Sequence, residues 1–199
     1  INKGALVSAI READKELQIA SAGVGGLKYT VPFIGDLLSS SKALYENADS
    51  TQTEIDTSAA SLKTTVDALL PIKLRELDQN QAILFTDQAG SPATDLSTTV
   101  KLNMEMGIVS SNAVSATNPA QIIAGLVVYD GEGKIRKIAI SGQKTLTTPN
   151  TEDVLLIEDV DLSQSLDRSD LYIKVFVWQN FNSLKPICDS SLWFKKAVQ

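Results

Sequence analysis

The chain has no histidine and a single cysteine, Cys188. The first absence removes Ser-His triads, histidine general bases and most transition-metal sites in one step. The second excludes an internal disulfide. It also leaves a thiol with no activating partner, so Cys188 reads as a partly buried small apolar residue. Basic residues number 18 against 24 acidic ones and form no stripe, and the net charge of −6 argues against a nucleic-acid footprint. No apolar run approaches the roughly 18 residues that a membrane-spanning helix needs. No secretory leader is present, and the chain opens at Ile1 without a Met, which reads as an excised or processed piece. What remains is globular in composition. Apolar residues make up 43% of 199 positions, enough for one large domain or two small ones.

The hydrophobic period changes near residue 71. Before it, apolar residues recur at helical spacing; after it, short apolar runs alternate and are broken by Gly, Pro and Asn. Residues 4–22 read as a first helix, with Leu6, Ile10, Ala13, Leu17 and Ala20 on one stripe and Gly23, Gly25 and Gly26 ending it. Residues 27–32 are expected to be extended, because Pro32 biases Val31 away from helical geometry. A second helix is expected from Phe33 to Ala48, with Phe33, Leu37, Leu38, Ser41, Leu44 and Tyr45 along its stripe. Thr51 is the expected N-cap of a third helix. Glu54 completes a capping box worth about 1 kcal/mol, and Ile55, Ala59, Leu62, Val66 and Leu69 form the buried face up to Pro71. Three helices with short loops imply an antiparallel bundle over residues 1–71.

Residues 72–82 are polar and serve as a connector. Beyond them, strands are expected at Ile83–Phe85, Thr98–Val109, Gln121–Tyr129, Lys134–Ser141, Asp153–Leu162 and Asp170–Gln179. In the second of these, Val100, Leu102, Met104 and Met106 face one way, opposite Lys101, Asn103 and Glu105. The last carries apolar groups on both faces: Leu171, Ile173, Val175 and Val177 against Tyr172, Phe176 and Trp178. Six or seven short strands without helix-length connections argue for an antiparallel β-sandwich over residues 83–199, so the whole chain is of the α+β class.

Two resemblances accompany this reading. Tyr29-Thr30, Ala43-Leu44, Ala48, the stretch Thr51-Gln52-Thr53-Glu54-Ile55-Asp56 and the closing Leu62, Val66, Asp67, Ala68 and Leu69 resemble the FIVAR family. FIVAR modules are helical repeats of bacterial surface proteins and secreted carbohydrate-active enzymes. Ile55 stands where the family has Val, and Phe33 stands near the place of its usual Trp. Further on, Gly125-Leu126-Val127-Val128-Tyr129-Asp130 with Gly133-Lys134-Ile135, then Ile173–Trp178 and Leu184-Lys185-Pro186, looks like an Ig-like module of secreted clostridial and related Gram-positive proteins. Such modules accompany catalytic or surface-anchoring domains, and the resemblance implies an extracellular or cell-wall location.

Candidate sites are few. Glu152, Asp153, Glu158, Asp159 and Asp161 could supply oxygens to Ca²⁺, but they lack EF-hand spacing and read as a solvated acidic face. Glu105, Asp130 and Glu132 offer no carboxylate pair in a cleft, since two belong to a hairpin turn and one to a solvent-facing strand position. Gly131 and Gly133 belong to the same turn and lack the helix and Lys of a phosphate loop. The remaining lead is aromatic. Trp178, Phe181, Trp193 and Phe194 are candidate ligand-contact residues, because a ring face can stack on a pyranose. The parity that Trp178 shares with Tyr172 and Phe176 favours packing in a core or against the helices. No enzyme activity, metal or cofactor is expected. The sequence points to an accessory or spacer segment of a larger extracellular bacterial protein, whose partners are neighbouring domains of its parent. A carbohydrate-binding module contacting polysaccharide through those aromatics, and a protein-docking module, are the alternatives.

Overall fold

A computed structural model describes residues 1–164 and 169–194. Three helices come first: α1 (Gly4–Ala22), α2 (Gly35–Glu46) and α3 (Gln52–Asp67). Helix α1 ends where expected. Gly23 adopts φ 68°, and a Cβ there would lie 2.0 Å from the Leu27 carbonyl oxygen, so only glycine fits this turn. Helix α3 opens with the expected capping box. The Glu54 N–H donates to Thr51 Oγ1, and the Thr51 N–H donates to Glu54 Oε2 at 2.8 Å. The Thr51 backbone and hydroxyl together hold the Glu54 carboxyl below its ordinary range.

Helix α2 differs from expectation at its start. Phe33 is 84% exposed, and Ile34 takes the buried position instead, followed by Leu38 and Ser41. The reason is local. The helix begins at Gly35, so Phe33 precedes the first turn, and its ring lies over the space that a Gly35 side chain would occupy.

Nine strands follow among the described residues, every pairing antiparallel: β1 (Ile72–Leu74), β2 (Ile83–Asp87), β3 (Lys101–Ser110), β4 (Ala120–Tyr129), β5 (Ile135–Ile140), β6 (Lys144–Leu146), β7 (Glu152–Asp161), β8 (Tyr172–Trp178) and β9 (Ser191–Trp193). One sheet is built on β3, which pairs with β7 along its length and with β1 and β2. The other has the order β5-β4-β8-β9, with β6 also paired to β4. The connector thus contributes β1, and the two short strands β6 and β9 extend the second sheet.

The inner faces follow period 2. Leu102, Met104, Met106 and Ile108 of β3 are buried, as are Ile122, Ala124, Leu126 and Val128 of β4. On β8 the aliphatic row Ile173, Val175 and Val177 turns inward. These rows make the two sheets a sandwich. Val100 falls outside the row expected of it: it is half exposed, because β3 starts at Lys101 and the Val100 carbonyl instead accepts from the Leu162 N–H. One irregularity marks β7. The β3 register shifts between Leu102 and Met104, Asp159 takes φ 54°, and its N–H donates to Asn103 Oδ1.

One apolar core runs from the helices into the sandwich. It includes Ala13, Leu62 and Val66 of the bundle, Leu69 and Leu70 after it, and Ile72 and Leu74 of β1. Polar contacts fix the same junction. The segment after α1 pairs with the segment before β9: Tyr29 bridges Cys188, the Thr30 N–H donates to the Ile187 carbonyl, and the Asp189 N–H donates to the Lys28 carbonyl. Tyr29 Oη accepts from the Leu74 N–H at 2.7 Å and donates to the Leu74 carbonyl at 3.3 Å. Lys73 Nζ meets Glu16 Oε1 of α1 at 2.7 Å, with both side chains largely buried.

Candidate functional site

The four candidate aromatics separate. Trp193 and Phe194 sit at the end of β9 and meet Phe85 of β2 edge-on, with ring centroids 5.2 and 5.3 Å apart. Both are partly buried against the main core. Phe181 lies in the loop after β8 and is 49% exposed. Its backbone N–H donates to Gln143 Oε1. Trp178 is half-buried on the outer face of the second sheet, away from the sandwich interior. Sequence parity grouped it correctly with Tyr172 and Phe176, but that row is the outward one.

The outer face is the most distinctive surface of the molecule. Its central strand turns Ile123, Gly125, Val127 and Tyr129 to that side, but the first three are buried and only Tyr129 is partly exposed. On β8 stand Tyr172, Lys174, Phe176 and Trp178, and on the β5 edge the exposed Ile135, Ile138 and Ile140. Gly125 has a clear role here. A Cβ at that position would lie 2.6 Å from the Trp178 ring, so the indole edge occupies the space a side chain would fill. Phe176 and Trp178 then stack offset, with planes 2° apart and centroids at 5.5 Å. Tyr129 and Tyr172 stack across the strand pair at 5.1 Å, and Lys174 Nζ lies 5.6 Å from the Tyr129 ring centroid. The three isoleucines were legible only as strand residues. Their joint exposure beside an aromatic row needed the strand order.

The acidic candidates do not converge. Asp153 pairs with Lys144, Asp159 with Lys101 and Glu152 with Arg75. Among the described residues, no group of three or more Asp, Glu or Cys side chains is placed to hold a metal ion. Burial opposes ionisation of Asp153, but the Lys144 ammonium and the Val154 N–H outweigh it and keep its carboxyl below the ordinary range. Asp130 organises its hairpin from within. It accepts from the Lys134 and Glu132 N–H groups and from Arg136 Nε, and the Lys134 N–H and the guanidinium hold its carboxyl low. Glu132 pairs with Lys134 at the tip. Cys188 is buried, and burial, with help from the Asp189 charge, pushes its thiol up to about 12. A thiol so protonated is no nucleophile near neutral pH.

Several concavities among the described residues stand apart from the sheet face. A cleft of about 170 Å³ at the helix–sheet junction is lined by Glu12, Glu16, Asp67, Lys73, Asn112 and Asn150. A shallow groove between α1 and α3 is lined largely by Ala5, Ala9, Ala59 and Ala60. The junction cleft is smaller than the roughly 300–1,000 Å³ of ordinary small-molecule sites.

No family model matches the chain, and no curated protein matches it. Solved structures match it weakly. Bacteroides uniformis beta-glucuronidase 2 is 8% identical, with a TM-score of 0.38 over 56% of this chain, which spans 12% of that enzyme. The C-terminal domain of wzt is 10% identical, with a TM-score of 0.41 over 65% of this chain and 75% of that one. The Pseudomonas fluorescens alkylpurine DNA glycosylase AlkC is 12% identical, with a TM-score of 0.38 over 71% of this chain and 34% of that one. Likenesses of this size identify neither a family nor an activity.

Proposed function

We propose that the chain is a non-catalytic accessory segment of a larger extracellular bacterial protein, holding a neighbouring catalytic or adhesive domain at a set distance. The observation that carries this reading is the shared core running from the junction end of the bundle into the sandwich, pinned by Tyr29 on Leu74 and by Glu16 on Lys73. A spacer transmits a distance only if its parts do not swing, and a shared core resists swinging. The chemistry agrees. The chain has no histidine, its one thiol is buried, and Asp130, Asp153 and Asp159 are committed to ion pairs.

Spin labels at Ser40→Cys on α2 and Glu132→Cys at the far hairpin test the rigidity, since buried Cys188 is out of reach of the label. One narrow distance distribution is expected. A broad or two-peaked distribution would refute the spacer. Turnover of a glycan, peptide or phosphoester, lost on replacing one acidic residue, would refute the non-catalytic part.

The carbohydrate-binding alternative has one observation in its favour, the half-exposed Trp178 stacked with Phe176 beside the exposed loop residue Phe181. It requires saturable binding to a polysaccharide that a folded Trp178→Ala variant loses.

A further inference from the structure

We draw no further inference here: the strongest candidate, the β5 edge of the second sheet where Ile135, Ile138 and Ile140 stand exposed near the stacked Phe176 and Trp178, is a small unpartnered apolar patch, and nothing in the structure shows what covers it.

Discussion

Replacing Tyr29 with Phe isolates one hydroxyl at the junction of helices and sandwich. The ring is buried and its Oη is the partner of the Leu74 N–H, which points away from β3. Phe keeps the ring and opens no cavity, so the cost is that of leaving a buried amide unpaired, about 1–3 kcal/mol. For a chain of this size that lowers Tm by roughly 2–4 °C per kcal/mol. Urea unfolding measures the loss, and hydrogen exchange at the Leu74 amide should show reduced protection.

The pH dependence sharpens the test. Burial raises the Tyr29 phenol from 10.0 to about 12. Its folded pKa is therefore above its unfolded one. The associated stability is fully present below pH 10 and is lost as pH rises toward 12, because the unfolded chain releases the proton first. Phe cannot ionise, so the penalty of the substitution should shrink by about 1.4 kcal/mol between pH 8 and pH 11. A penalty below about 0.5 kcal/mol at pH 8, or one that does not narrow with pH, would refute this account of the junction.

Thr51→Ala should cost about 1 kcal/mol by removing the capping box of α3, and Thr51→Ser should recover most of it in the same denaturation assay. Gly125→Ala should destabilise by about 1–3 kcal/mol and shift the Trp178 fluorescence maximum, because the new methyl must displace the indole edge; an unshifted spectrum would count against that packing. Asp130→Asn should loosen the β4–β5 hairpin. Since the native carboxyl is held low, its contribution is present near neutral pH and fades as pH falls through its folded pKa, so wild type and variant should converge in acid melts.

Much of the fold was legible in the sequence, for reasons that differ by element. The bounds of α1 follow from its stripe and from Gly23, and the start of α3 from one capping box. The strands β3, β4, β5, β7 and β8 are long enough for alternation to register. The three-residue strands β1, β6 and β9 are not, and they exist because a neighbour offers a free edge. Alternation also could not choose between the two rows of β8, since both are apolar. The aliphatic row went inside, and the row with Lys174 and the larger rings went out. The isoleucine edge beside Trp178 stayed hidden because it depends on β5 lying next to β4 with no described residue covering it. Tyr29 read as part of a helical module, and its hydroxyl partner is 45 residues away.

The pairing of the Lys28–Thr30 backbone with that of Ile187–Asp189 has a consequence for biosynthesis. The two segments lie at nearly opposite ends of the described chain. At roughly 5–20 residues per second, the helices leave the ribosome on the order of ten seconds or more before their docking partner. During that interval they can reach β1 but not residues 187–189, and the loop that closes this last pairing is among the longest in the described chain. Emergence of residues 187–189, rather than formation of the helices, therefore completes the junction. A stall or cleavage just before Ile187 would leave the bundle held to β1 through Tyr29 on Leu74 and Glu16 on Lys73 but without its backbone pairing to residues 187–189.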